Sequence, residues 1–385
     1  MIRILAVLTL LSAPVLAIDK PAAAEPTSPS ADSFASPPYA ADPGKLWRLT
    51  RNEEFSDNAL SFNYLSPCSP WSRSLVDGSC GDSFNQGRER FSSSSVTVHD
   101  GIAQLVAAPM NPTAHSEACY SAIRSPTSTC DYSAGQLEGS PIPGSIGSYP
   151  RAADDYLWAF TYGYLEVKWK LPSNAPGFFP AFWMIDTDGQ TPRDPSQRNY
   201  DYHWEMDMEV PGTPGWPGRG ADHTSGWMAS PVYMSYAYHN KFTDPGGGRD
   251  SGYRVNYGNT DAAKGFPVLS SRMNGDCPGG NFDYSTDWHK FAIDWGPTYV
   301  RWWIDRQLCG GYADPSGSTI AGPATKMFPI IWIGVDQGWN RSLSANLDSS
   351  CAADKSLTPC DLTGNSGAAE SLLVDYVRLW QQTDP

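Results

Sequence analysis

The 385-residue sequence predicts an all-β fold, a sandwich of antiparallel sheets. Three observations carry that expectation. Alternating or aromatic-rich runs bounded by turn residues recur along the chain. Glycine (35) and proline (33) are abundant while charged residues make up only 18%. That balance suits many short strands joined by long, turn-rich loops. Few segments show a helical period, and no repeat of about 20–50 residues is visible.

From the N-terminus, positions 1–17 carry Arg3, an apolar run from Ile4 to Leu16, and the ending Val15-Leu16-Ala17. This reads as a secretory signal peptide, with Ala24 as a second cleavage point, so the protein is expected to be secreted. The apolar run is too short to span a membrane. Positions 18–44, rich in Ala, Pro and Ser, read as a flexible leader without core residues. A single domain is expected over 45–385. Its strand signals fall at 95–99, 102–107, 163–171, 178–185, 203–210, 232–239, 288–295, 299–305, 330–335 and 372–381. Long Gly/Pro/Ser-rich stretches at 61–83, 110–130, 139–154, 242–280 and 340–367 would wall a cleft on that scaffold.

Net charge −14 turns the surface against nucleic-acid phosphates and anionic lipid heads. No nucleic acid and no membrane partner are therefore expected, and the chain is expected to act as a monomer. The eight cysteines fit an oxidising compartment. Eight cysteines permit about 105 full pairings; among them neighbour spacing favours Cys68 with Cys80, Cys119 with Cys130, Cys277 with Cys309 and Cys351 with Cys360. No CxxC occurs, which argues against zinc and thiol redox chemistry.

The most informative segment is His203-Trp204-Glu205-Met206-Asp207-Met208-Glu209-Val210. On a strand, Glu205, Asp207 and Glu209 share one face, while Trp204, Met206, Met208 and Val210 share the other. A plain solvated face would mix its charges, because three acids in a row repel each other. Catalysis gives the row a purpose. Residues four apart on a strand lie about 13 Å apart at Cα, and a glutamate carboxyl reaches about 3.7 Å from its Cα. Two glutamates leaning together leave roughly 5.5 Å between carboxyls, close to the retaining-glycosidase separation of about 5–5.5 Å and short of the inverting range of about 6.5–9.5 Å. One would attack the anomeric carbon; the other would protonate the leaving oxygen and then activate water. Asp207 fits between them and can tune the pair.

With its flanks, this segment resembles the active-site strand of glycoside hydrolase family 16, E-x-D-x-E. The flanks are Tyr162-Gly163-Tyr164-Leu165-Glu166-Val167-Lys168, Gly177-Phe178-Phe179-Pro180-Ala181-Phe182-Trp183-Met184, and Asp287 to Trp295 followed by Val300 to Asp305. Glu53-Glu54-Phe55, Asp100 to Leu105 and Val374 to Leu379 extend the likeness over about 46–381. The resemblance implies a β-jelly roll with a concave cleft, and a retaining, endo-acting mechanism on a β-linked polysaccharide, most readily a β-glucan. It implies Glu205 as nucleophile, Asp207 as helper and Glu209 as acid/base. It also implies Trp183 and Trp339 as sugar platforms, with Tyr164, Tyr238, His239 and Trp204 as further cleft residues. The chemistry needs no cofactor. Some relatives hold calcium on the convex face, and Asp375 and Gly101 sit at the matching positions. Trp204 stands where the family often has Gly, and Gly334-Val335-Asp336-Gln337-Gly338-Trp339 replaces its usual Asn and paired glycines.

Other readings are a hydrolase of another β-linked polymer such as a galactan, a transglycosylase using the same residues, and a non-catalytic sugar-binding sandwich. The last need not keep both glutamates. His203-Trp204-Glu205 lacks the P-C-x-x-C partner of a zinc deaminase, and no G-x-S-x-G elbow occurs.

Overall fold

The structure is a computed structural model. It describes residues 35–61, 63–68, 79–81, 89–109, 118–119, 128–129, 132–140, 155–172, 178–187, 202–209, 233–240, 284–313, 325–335 and 369–385. The described strands are β1 (Leu46–Glu53), β2 (Ser79–Gly81), β3 (Glu89–Ser92), β4 (Val96–His99), β5 (Ile102–Pro109), β6 (Ala118–Cys119), β7 (Ser128–Thr129), β8 (Tyr132–Ala134) and β9 (Gln136–Glu138). They continue as β10 (Gly163–Lys170), β11 (Phe178–Asp186), β12 (Tyr202–Glu209), β13 (Tyr233–Asn240), β14 (His289–Gly296), β15 (Tyr299–Ile304), β16 (Gln307–Ala313), β17 (Met327–Val335) and β18 (Glu370–Thr383). One 3-10 turn, Ser93–Ser95, precedes β4. Among the described residues no helix is long and apolar enough to cross a membrane.

Two sheets pack face to face. The larger runs β16-β15-β14-β10-β18-β5-β8-β3-β2, with β1 also on β18 and β4 also on β5. The smaller runs β13-β12-β11-β17-β9. All the pairings are antiparallel except β3 with β8. The chain changes sheets between β8 and β9, at Gly135. A Cβ there would sit 2.6 Å from the Ser95 carbonyl oxygen and 2.9 Å from Leu105 Cα, so only glycine lets the strand turn at this point.

Period-two alternation builds the core between the sheets. Leu165, Val167 and Trp169 of β10, Phe291 and Ile293 of β14, and Val377 and Leu379 of β18 face inward, all 0% exposed. Phe182, Met184, Met206, Met208 and Ile331 of the smaller sheet are likewise at 0%. The rings of Trp169 and Phe182 meet edge-on across the sandwich at 6.2 Å. Each such side chain contributes about 1.5–3 kcal/mol on burial.

The outer face of the larger sheet is covered as well. There the expectation of a flexible leader up to position 44 fails from Ser36 onward. Pro37 is buried. Tyr39 stacks on Trp303 at 5.4 Å, meets Trp47 edge-on at 5.3 Å, and donates its hydroxyl to Asp294 Oδ1 at 2.8 Å. The composition of the leader pointed to flexibility, yet the Tyr39 ring docks its end, helped by Trp47 Nε1 donating to Tyr39 O at 3.1 Å and the Asp42 amide donating to Gln382 Oε1 at 2.7 Å.

The expected cysteine pairs fall largely outside the described side chains. Cys68 and Cys309 are described, and both are buried.

Candidate active site

β12 lies inside the smaller sheet, between β11 and β13. Its register sets the site. Glu205 stands across from Ile185 of β11 and Ala237 of β13. Asp207 stands across from Trp183 and Ser235, and position 209 across from Ala181 and Tyr233. Directly opposed residues in an antiparallel pair share a face. Positions 205, 207 and 209 therefore lie on the outer face, with Met206 and Met208 buried at 0% on the inner one. Asp207 is 5% exposed, whereas Glu205 is half-buried. Asp207 is thus more shielded than Glu205, which is open enough to meet a ligand. Position 209 is placed by its backbone alone.

Trp183 lies on this face, as expected, but it does not present a free ring. It is 2% exposed, and its ring meets Trp332 of β17 at 4.9 Å with the planes 56° apart. Trp332 in turn stacks on Phe91 of β3 at 5.5 Å and 13°. Trp183 therefore supports the floor beneath the acids. Trp332 shares the face through its pairing with Ala181. It was not singled out from the sequence, because the run Ile330-Ile331-Trp332-Ile333 carries no polar alternation to tell the two faces apart.

His239 pairs with His203 in the register that includes Glu205, so position 239 belongs to the outer face. Trp204 pairs with Tyr238, one step out of phase. Those two positions belong to the face of Met206 and Met208. Trp339 lies outside the described residues.

Tyr164 is not part of this site. It sits on β10 in the other sheet, 0% exposed, on the outer face with Ala292, Trp303 and Trp380. Its hydroxyl donates to Glu166 Oε2 at 3.2 Å. Glu166, also 0% exposed, accepts Arg306 Nε and Nη2, each at 3.1 Å, and the Tyr376 hydroxyl at 2.9 Å. Alternation explains the misplacement. Tyr164 is out of phase with Leu165 and Val167 and so points away from the cleft sheet.

The residues expected for calcium do not fit that ion. Asp375 Oδ2 is ion-paired with Lys168 Nζ at 2.7 Å, so an ammonium holds the place where a cation would bind. Gly101, with Asp100, forms the two-residue turn between β4 and β5; their φ angles of 76° and 53° are the pair that a primed hairpin turn requires. Its residue type is thus accounted for by the turn. Among the described residues no group of three or more His, Cys, Asp or Glu side chains could hold a metal.

The carboxyl environments differ sharply elsewhere in the sandwich. Burial pushes Asp294 up to about 6, against the opposing pull of the Arg301 guanidinium 2.8 Å away. Glu138 lies on the same face as Asp207, since Glu138 pairs with Ile330 and Ile330 with Trp183. Burial pushes it up to about 8.

No family model and no curated protein matches the chain. Solved structures are. The endo-β-1,3-glucanase from Pyrococcus furiosus superposes with a TM-score of 0.50 at 16% identity, covering 89% of this chain and 97% of the glucanase. Porphyranase B from Zobellia galactanivorans superposes with a TM-score of 0.50 at 13% identity, covering 89% of this chain and 96% of the porphyranase. Their strand arrangement matches the two packed antiparallel sheets described above, and the chain has the jelly-roll fold of glycoside hydrolase family 16.

Proposed function

We propose that this protein is a secreted, endo-acting, retaining glycoside hydrolase that cuts internal β-linkages of a polysaccharide, most readily a β-glucan. The observation that carries the reading is the acid row on β12: Glu205, Asp207 and position 209 on one face of an interior strand. Glu205 attacks the anomeric carbon as the bond to the leaving oxygen breaks, and Glu209 gives that oxygen its proton. Water then takes the glycosyl group from Glu205 while Glu209 receives the proton of the water. Asp207, one step along the same face from each, couples to the pair. The chemistry needs no metal or cofactor. Position 239, in register with the face of Glu205, is the further substrate contact of this reading.

The polymer chain would lie across the strands of the smaller sheet. A β-linked galactan is the second reading, because porphyranase B shares this fold as much as the glucanase does. A panel of β-1,3-glucan, mixed-linkage β-glucan and galactan, with products separated by chromatography, decides between them. Release of oligosaccharides from a glucan by the wild type, and none by Glu205→Gln, is the expected result. Binding without cleavage by the wild type would point to a sugar-binding sandwich. Transfer of the glycosyl group to added oligosaccharide in preference to water would make the protein a transglycosylase.

A further inference from the structure

Glu138 ends the row that crosses the smaller sheet from Asp207 through Trp183 and Ile330. Its backbone is fully used. The amide donates to Ser66 O at 2.8 Å, the carbonyl accepts from Ser66 N at 2.7 Å, and β17 pairs on the other side. Its side chain is the opposite case. The residue is 0% exposed, and neither carboxyl oxygen has a hydrogen-bond partner among the described residues. The Ser140 hydroxyl is close enough to pull the carboxyl down against its burial, yet it donates to Cys68 O at 2.9 Å. Ser66 Oγ donates to the same carbonyl at 3.3 Å. Burial this complete rules out contact with a polymer in the cleft.

Among the described residues no charge compensates the carboxyl. The facing strand β17 carries no ionisable side chain. On the described segment bridged to it, 63–68, the ionisable side chain is Tyr64, Cys68 being disulfide-bonded; on 155–160, bonded to Gly139 through Trp158, they are Asp155 and Tyr156. Arg51, the cation beside Tyr64, is engaged elsewhere: it donates to Leu157 O at 2.7 Å and lies 5.8 Å from the Tyr64 ring. An ionised carboxylate here would be buried and unpaired, a strongly unfavourable state.

We propose that Glu138 is a proton-held lock on the edge of the cleft sheet: the neutral acid lets β9 stay docked between β17 and Ser66, and its ionisation releases that edge. Burial, which pushes the carboxyl up to about 8 from an ordinary 4.5, sets the window. In the unfolded chain the group ionises near 4.5, whereas in the fold it stays protonated until about 8. Below the lower value it has no effect on stability. Between the two the fold holds a proton that the unfolded chain has lost, so stability falls as pH rises, and the loss is complete above the upper value. Release of β9 would strip one edge from Ile330 and Trp332, the residues that back Trp183. This inference stands whether or not the protein is a glycosidase, since its readouts need no substrate.

The test compares the full chain with Glu138→Gln, which keeps the shape and cannot ionise. Thermal midpoints are measured from pH 5 to pH 10. The two midpoints are expected to differ little at pH 5 in their pH trend, with the variant gaining several degrees on the wild type by pH 9. Parallel curves across the range would overturn the proposal. Hydrogen exchange on the wild type is a second arm that needs no variant. After correction for intrinsic rates, the amides of Leu137 and Ile331 should lose protection above about pH 8 while that of Val377 in β18 keeps it. Equal pH trends at all three amides would also overturn it.

Discussion

Trp183 stands directly across from Asp207 in the strand register, and its ring meets Trp332 at 4.9 Å. The middle acid of the candidate site thus stands next, in register, to an aromatic pair whose Trp332 stacks on Phe91. Asp207 is 5% exposed, beside the more open Glu205. A carboxylate held in such a place interacts strongly with a neighbouring acid, because little water screens the pair.

Trp183 therefore behaves as a core residue first. Trp183→Ala is expected to cost about 3–5 kcal/mol of stability, as large-to-small changes of buried tryptophans do. Trp183→Phe keeps a ring against Trp332 and is expected to lose less than half as much. Chemical denaturation of both variants checks this. If Trp183→Ala were as stable as the wild type and only weakened substrate binding, the ring would be a free sugar platform after all.

The catalytic pair predicts a specific kinetic pattern. Glu205→Gln is expected to abolish turnover. Glu209→Gln is expected to lower kcat by about 10²–10⁴-fold, the range for a general acid–base group. Its loss should be smaller on substrates with a good leaving group, which need no proton. The first product, followed by NMR before it mutarotates, is expected to keep the β-configuration. An α-configured product would mean inversion and a wider carboxyl separation than roughly 5.5 Å.

Much of this arrangement was legible in the sequence. The period-two runs located β4, β5, β10 to β15, β17 and β18 to within a few residues, because one or both faces of each are apolar and bounded by turns. The acid row on β12 was legible for the same reason. What alternation cannot tell is which of two buried faces a residue joins. Both faces of β10 are covered, so Tyr164 read as well for a cleft as for the outer cluster that it joins. Short strands such as β9, with three residues Gln-Leu-Glu, leave no periodic signal, and so Glu138 went unseen. The docking of Tyr39 depends on Asp294 and Trp303, more than 250 positions away, which no local pattern encodes.

That docking makes the segment before β1 part of the stable fold. Tyr39→Phe removes the hydroxyl that donates to Asp294 at 2.8 Å. Hydrogen bonds to charged groups are worth about 1.5–3 kcal/mol. The effect should depend on pH. Asp294 is held at about 6 in the fold against an ordinary 3.8, so its ionisation costs stability increasingly as pH rises through that interval. Without the Tyr39 hydroxyl the folded-state value rises further and the cost grows. The gap in Tm between wild type and Tyr39→Phe is therefore expected to widen from pH 4 to pH 8. A chain beginning at Lys45 should melt lower than one beginning at Ala35, since it also loses the stacking on Trp303. Equal melting of those two chains would mean that the segment merely rests on the sheet.

Lys168 and Asp375 give the last prediction. Their 2.7 Å ion pair lies on the outer face of the larger sheet, with side chains 17% and 10% exposed. Lys168 also lies 5.9 Å from the Trp288 ring and 6.0 Å from the Tyr376 ring, so its stem and head are held from several sides. A ligand present at 100 times its Kd stabilises a fold by about 2.7 kcal/mol. With an ammonium already at Asp375, millimolar calcium should bring no such gain, and Tm in calcium and in chelator should agree. Lys168→Met empties that place while keeping most of the stem. If Asp375 and nearby carbonyls can hold a hard cation at all, this variant should acquire a calcium-dependent rise in Tm that the wild type lacks. A calcium-dependent rise in the wild type itself would show that the lysine yields to the ion.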